Sequence, residues 1–200
     1  MSSTKARAAK LKKQTKNPKP CIDGFDDMNS AVKLGKIETI KKFLERGDRA
    51  DEARTGGDNN TPIHVAAFEK FPDKLQLLYE SLPEKDRLAA INKPNLNGVT
   101  SLHEACLISK EATPEAIENM PKTIEYLLKN GADTTKKAFV NGQKEYHGKI
   151  LCCTPLVALK EQMLDYPKDS MEYKTLNQCT NIMQEHTAKQ KINTPSKPRI

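Results

Sequence analysis

The 200-residue sequence predicts an all-α solenoid, in which helix pairs stack side by side and short hairpin or loop fingers join them. Three observations predict this architecture. A Thr-apolar-His-Ala motif recurs along the middle of the chain, and a second stretch of helical periodicity follows each copy. Apolar residues make up only 36% of the chain, which is little for one large core. A one-dimensional stack that buries a stripe between neighbouring units fits this composition better.

The first motif marks the start of each predicted inner helix. Residues 61–67 have the sequence TPIHVAA, residues 100–106 follow 39 residues later as TSLHEAC, and residues 154–159 follow after a further 54 as TPLVAL. Threonine before proline supplies an N-cap hydroxyl and then a residue whose backbone already suits the first helical position. The motif therefore predicts a helix at each of these places.

The second stretch predicts the outer helices. Segments 35–47 and 122–133 carry isoleucine, leucine and phenylalanine at helical spacing, and each has a glycine where a helix would end. Pro114 and Pro121 are each expected to open a helix. In the last unit, Ser170 is expected to cap a longer outer helix.

These motifs resemble the two halves of an ankyrin repeat, in which T-P-L-H-x-A begins a unit of ~33 residues. The resemblance covers residues 26–186, and its terminal units are degenerate, as expected of caps: Val157 replaces the histidine in the last one. It implies a non-enzymatic, monomeric module that binds a protein partner in its concave groove, with no cofactor and no metal. The four approximate units are 24–50, 56–91, 95–133 and 149–186, in a domain spanning 21–186.

The unit spacing exceeds the family period, which predicts insertions. Residues 84–90 are expected to form an extra turn or short helix, residues 109–120 to fall partly between the two helices of unit three, and residues 134–149 to form a long hairpin or loop. Asn97-Gly98 and Asn141-Gly142 fit tight hairpin turns at finger tips. The insertions are expected either to contact a partner or to be tolerated surface loops.

The resemblance places the candidate partner-binding residues at the finger tips and at the exposed ends of the inner helices. An apolar patch in the middle units is expected to be exposed, which would favour a protein partner. In the alternative, the insertions fold over Leu107 and Ile108 and bury them. The candidates are Lys33, Asn60, Phe68, Glu69, Leu96, Asn97, Val99, Leu107 and Ile108, and the expected patch consists of Phe68, Leu96, Val99, Leu107 and Ile108.

The remaining candidates for chemistry favour structural roles. His64 and His103 occupy the same position in two units, and the resemblance implies that each imidazole bonds to the threonine hydroxyl of its unit and to neighbouring backbone. Cys152-Cys153 beside His147 is the one arrangement that resembles a thiol nucleophile, but it has no orienting third group. We therefore expect no catalytic and no metal-binding residues.

The net charge of +7 belongs to the two ends of the chain. Residues 1–20 carry +7 and residues 187–200 carry +4, both without an acidic residue, whereas residues 21–186 carry −4. Both ends are expected to be disordered basic tails. They support an alternative function, the binding of nucleic acid or an anionic membrane through the tails.

The sequence gives general indications of the compartment. No apolar run approaches the ~18 residues of a membrane span, no secretory signal is recognised, and five cysteines without regular spacing favour reduced thiols. A cytoplasmic location is expected, with the nucleus or the cytosol of a host cell as alternatives. Ankyrin proteins of this size with irregular units resemble both eukaryotic regulators and effectors that intracellular bacteria deliver into host cells, and both origins stay open.

Overall fold

The computed structural model describes residues 20–53, 57–139 and 152–193. The described residues form nine α-helices, one short 3-10 helix and two two-residue strands. Their order is α1 (Met28–Leu34), α2 (Ile37–Glu45), α3 (Pro62–Phe68), α4 (Pro72–Glu80), α5 (Glu84–Ile91), α6 (Ser101–Ala105), α7 (Pro114–Lys129), β1 (Ala138–Phe139), β2 (Cys152–Cys153), α8 (Pro155–Gln162), the 3-10 helix Met163–Asp165 and α9 (Met171–Asn193).

Within these residues, eight of the helices make four pairs, α1/α2, α3/α4, α6/α7 and α8/α9. The inner helices α1, α3, α6 and α8 pack against one another in that order, and the outer helices α4, α7 and α9 do the same. Each contact buries one apolar stripe, so the core runs as a continuous row from Met28 to Met183. The predicted all-α solenoid is confirmed.

The helices begin where the cap residues predict. Thr61 accepts a hydrogen bond from the backbone N–H of His64, and Pro62 follows as the first helical residue of α3. Thr113 caps α7 in the same way, with Pro114 next to it. In the last unit the hydroxyl of Ser170 accepts from the N–H of Tyr173 at the start of α9. Local side-chain chemistry thus sets the start of both inner and outer helices.

An aspartate caps the first helix of unit one. The carboxylate of Asp27, the N-cap of α1, accepts from the N–H of Ser30 at 2.9 Å and from the Ser30 hydroxyl at 3.2 Å. Aspartate is a preferred N-cap residue, and the serine hydroxyl adds a second bond to it.

The insertions follow the expected pattern in part. Residues 84–90 lie within α5, which confirms the extra helix. The turn at Asn97-Gly98 is also confirmed, since Gly98 has a φ of +76° and its N–H donates to the carbonyl of Asn95. Strand β1 pairs antiparallel with β2, with Ala138 opposite Cys153, so a finger joins units three and four. Asn141-Gly142 and the rest of that expected loop up to residue 149 lie outside the described residues.

The expectation that Pro121 opens a helix is wrong. Pro121 lies inside α7, a single helix of sixteen residues. The helix continues through the proline because Ile117, Met120 and Ile124 on either side are buried against neighbouring helices, and this tertiary packing outweighs the lost backbone hydrogen bond. Part of the 109–120 insertion therefore lengthens the outer helix of unit three.

The expected start of the C-terminal tail is also wrong. Helix α9 continues past residue 187 to Asn193, because the buried residues Leu176, Cys179 and Met183 anchor the helix and added turns then cost little. The hydroxyl of Thr187 donates to the carbonyl of Met183 at 2.8 Å. Residues 194–200 and the expected basic tail up to residue 19 lie outside the described residues.

Candidate functional site

Two buried histidines connect successive units on the finger side of the stack. Nε2 of His64 lies 3.1 Å from the carbonyl oxygen of Val99, and Nδ1 lies 2.7 Å from the hydroxyl of Thr61. Because a carbonyl only accepts, Nε2 carries the proton and Nδ1 accepts from the threonine. His103 repeats this arrangement with the carbonyl of Cys153 and the hydroxyl of Thr100.

This geometry gives the histidines a structural role, as expected from the resemblance. Both side chains are fully buried. Burial lowers the pKa of His64 to about 4 and also lowers the pKa of His103, with hydrogen bonds to backbone carbonyls acting in the opposite direction. Both rings are therefore neutral near pH 7, and both of their nitrogens are already engaged within the fold.

On the opposite edge, buried polar side chains connect the C-terminal ends of the inner helices. The ammonium of Lys70 donates to the carbonyls of Phe68, Glu104 and Leu107, which joins units two and three. Burial lowers the pKa of Lys70 to about 8, and the nearby charge of Glu104 opposes that change. Lys70 therefore stays charged near pH 7, where a cation suits helix C-termini.

Two further side chains make similar connections. The ammonium of Lys74 donates to the carbonyls of Val32 and Gly35, which joins unit two to unit one. Gln162 accepts from the N–H of Ile108 and donates to the carbonyl of Cys106, which joins unit four to unit three. All three described junctions between units are thus tied at this edge.

The expected groove contains a network of amides at its finger side. Asn29 of unit one donates to the carbonyl of Asn60 at 2.8 Å, and Asn95 donates to the side-chain oxygen of Asn60 at 2.8 Å. Asn60 in turn donates to Glu104 at a longer 3.4 Å. At the finger tip, Asn97 donates to Asp58 at 3.2 Å. The network fixes the positions of side chains from three units.

At the other end of the inner helices the groove opens into a cleft of about 320 Å³. Its apolar lining includes Phe68, Ile108, Ile117 and Met120. Lys33 and Glu69 form an ion pair of 3.3 Å among its lining residues. The loop from Ser109 and the first turn of α7 supply one wall, so the insertion in unit three helps to create the cleft.

The structure brings some of the nine predicted residues together and separates others. Lys33, Phe68, Glu69 and Ile108 line the cleft. Asn60 and Asn97 belong to the amide network, and Leu96 is exposed at the finger tip. The side chain of Leu107 is half-buried at the end of unit three.

The expected exposed apolar patch is wrong for Val99 and Ile108, which are both buried. Val99 lies between fingers because its carbonyl accepts a hydrogen bond from Nε2 of His64 and its N–H donates to the side-chain oxygen of Asn95. At Ile108 the backbone N–H donates to the side chain of Gln162 in unit four. The burial that the alternative expects is therefore found at Ile108, whereas Leu107 is only half-buried.

Sequence analysis missed two buried charged residues, Lys70 and Glu104. Lys70 has a φ of +55°, in the left-handed region of the backbone that favours glycine and is uncommon for lysine. Glu104 lies inside the inner-helix motif of unit three, where most neighbouring residues are apolar or small. Burial raises the pKa of Glu104 to about 7, with Lys70 and Asn60 lowering it and Asp58 raising it further.

The described residues hold no group of three or more His, Cys, Asp or Glu side chains that could bind a metal ion. Cys106, Cys153 and Cys179 are buried, and burial raises the pKa of Cys106 and Cys179. The side chain of Cys152 and all of His147 lie outside the described residues. No described helix combines the length and the apolar character that a membrane span requires.

A family model described as three copies of the ankyrin repeat matches residues 28–138, which is more than half of the chain. The chain belongs to the ankyrin-repeat family. The match covers the helix pairs α1/α2, α3/α4 and α6/α7. The fourth pair, α8/α9, lies beyond the match but continues the same stack. Ankyrin repeats generally serve as scaffolds for protein–protein interaction.

One solved structure similar to this ankyrin-repeat chain is the ankyrin repeat domain of Bcl-3, described as a unique member of the IkappaB protein family. Sequence identity is 21% and the TM-score is 0.46, over 66% of this chain and 45% of that one. This chain thus spans less than half the length of the solved domain. No curated protein sequence matches the chain.

Proposed function

We propose that this chain is a non-enzymatic adaptor, inhibitor or targeting protein that binds one protein partner along the groove between Asn60 and the cleft. The observation that carries the proposal is the cleft itself. In this cleft half-buried Phe68 lies beside the paired charges of Lys33 and Glu69. Apolar contact area surrounded by polar groups is typical of protein interfaces.

Three buried residues of types that often act in catalysis, His64, His103 and Lys70, are committed to the fold. His64 and His103 hold neighbouring units together through both ring nitrogens. The ammonium of Lys70 donates to three carbonyls. These contacts support a scaffold rather than a catalyst, because a general base or nucleophile must be available to a substrate.

The test uses the full chain as bait and compares two substitution variants. Phe68→Asp places a charge in the cleft, whereas Lys85→Asp changes an exposed residue on α5, away from the groove. Proteins crosslinked to the wild type and to Lys85→Asp, but lost with Phe68→Asp, would support the proposal. Circular dichroism must show equal helix content in all three proteins.

Equal capture by Phe68→Asp and the wild type would contradict the proposal. If capture instead disappears when residues 1–20 are deleted and falls steeply with added salt, the alternative is favoured, in which the basic tail binds nucleic acid or an anionic membrane.

We propose a cytoplasmic location for the chain. The expected reduced thiols support it, and imaging of a tagged full chain in cells tests it.

A further inference from the structure

Glu104 is a buried carboxylate beside the amide network of the groove. Its side chain is 8% exposed, and within the described residues no lysine or arginine forms an ion pair with it. Among the described residues its side chain accepts one hydrogen bond, from Asn60 at 3.4 Å, which is a long distance for a carboxylate acceptor. A buried carboxylate with so few donors is costly unless a further group supplies them.

The nearest cation does not supply that group. Lys70 interacts electrostatically with Glu104, but its ammonium donates to the carbonyls of Phe68, Glu104 and Leu107. An ammonium has three N–H donors, so these three bonds use all of them. The carboxylate of Glu104 therefore keeps most of its acceptor capacity.

A second acid adds to the negative potential. Asp58 lies close enough to raise the pKa of Glu104. Within the described residues, its carboxylate accepts a hydrogen bond from the neutral side-chain amide of Asn97 rather than from a cation. In contrast, Glu69 further along the groove is already paired with Lys33. Two acids thus face the single charge of Lys70, so net negative charge concentrates between the unit-two finger and helix α6.

We propose that the groove binds its partner through an arginine or lysine side chain that lies against Glu104, with Asp58 beside it. A cationic donor offers the hydrogen bonds that the buried carboxylate lacks, and its charge complements both acids. Arginine suits this position better, since its planar guanidinium can bond to a carboxylate through two donors. The inference rests on the proposed function and specifies the chemistry of the partner.

The test screens a phage library of random dodecapeptides against the full chain near neutral pH. Groove peptides are defined as those that bind the wild type but not Phe68→Asp. We expect the groove peptides to share an arginine or lysine at one position. As synthetic peptides they should lose about tenfold or more in affinity when that residue becomes methionine, or when the protein carries Glu104→Gln.

The matched control is Glu84→Gln on α5, which changes an exposed acid outside the cleft and should alter affinity less than about threefold. A second readout is pH. Affinity for the groove peptides should fall between about pH 8 and pH 5 in the wild type, as Glu104 takes up a proton near Lys70 and Asp58, and should change little in Glu104→Gln.

Three outcomes count against the inference. Two results overturn it while the proposed groove function stands. The groove peptides share no basic residue, or they share one but bind Glu104→Gln as tightly as they bind the wild type. A library that yields no groove peptide counts against the proposed function and the inference together. Because glutamine has the shape of the protonated acid, Glu104→Gln is expected to fold, and a thermal melt verifies this.

Discussion

Nε2 of His103 donates a hydrogen bond to the carbonyl oxygen of Cys153, 3.2 Å away and fifty residues further along the chain. The bond crosses from the inner helix of unit three to the finger that opens unit four. The same imidazole accepts from Thr100 at its other nitrogen. One side chain therefore closes a finger within its own unit and attaches the next unit to it.

Replacing His103 should destabilise the whole stack. His103→Ala removes the buried hydrogen bonds to the Cys153 carbonyl and the Thr100 hydroxyl and opens a cavity, so we expect the free energy of unfolding to fall by about 2–4 kcal/mol. Urea unfolding followed by circular dichroism measures it. His186→Ala, on the more exposed side of α9, is the control and should change stability by less than ~0.5 kcal/mol. Equal effects of the two changes would refute this role.

Among the described lysines, Lys70 should contribute most to the free energy of unfolding. Lys70→Met keeps the aliphatic stem but removes three buried bonds to helix-terminal carbonyls, so we expect a loss of about 2–3 kcal/mol in urea unfolding. Lys85→Met on α5 removes an exposed ammonium and serves as control. A Lys70→Met protein as stable as the control would show that the three carbonyl contacts contribute nothing.

The pH dependence of stability should reveal the burial of Glu104. Its pKa in the folded protein, about 7, lies above its ordinary value, so its contribution to stability is full below about pH 4.5 and is lost as the pH rises through about 7. Relative to Glu104→Gln, the wild type should therefore lose up to ~3 kcal/mol between pH 5 and pH 8. Urea unfolding of both proteins at the two pH values measures this difference. A difference that is the same at both pH values would contradict a raised pKa.

The titration of His64 should change stability with pH in the opposite direction to that of Glu104. Its folded pKa of about 4 lies below the ordinary value, so the stability it contributes is full above about pH 6.5 and is lost as the pH falls through about 4. Its Cε1–H resonance in NMR spectra should therefore stay unchanged from about pH 7 to pH 5.5. Movement of that resonance with a midpoint near 6.5 would show that the ring is exposed to solvent.

Removing the proline from α7 should stabilise the protein. Pro121→Ala restores an N–H that can donate to the carbonyl of Ile117, one turn earlier in the helix. We expect a gain of about 1–2 kcal/mol, because a proline costs ~3 kcal/mol inside a helix while its loss also frees the unfolded chain. The thermal midpoint measures the gain. Pro94→Ala, in the exposed loop before the finger, is the control.

The sequence predicts the fold well where the signal is local. Thr61 and Pro62 specify the start of a helix from their own chemistry, and His64 follows at the spacing that its bond to Thr61 requires. Pro121 misleads because its effect is decided by the packing of Ile117 and Ile124 against neighbouring helices, which lie elsewhere in the chain.

The candidate site is less predictable for the same reason. Val99 occupies a finger position, but its burial depends on His64 from the preceding unit. Glu104 looks like an ordinary surface acid in the sequence, and only the position of Lys70, 34 residues away, shows that it is enclosed. Charges that approach one another across units leave no periodic trace along the chain.

The ties between units also have a mechanical consequence. Each described junction is held at both edges, for example by His64 on the finger side and by Lys70 at the helix ends between units two and three. Pulling a pair of helices from such a stack must break the hydrogen bonds at both edges together, because neither edge can act as a hinge for the other. Under tension in a force spectrometer, the described repeats should rupture in one step rather than peel away one after another.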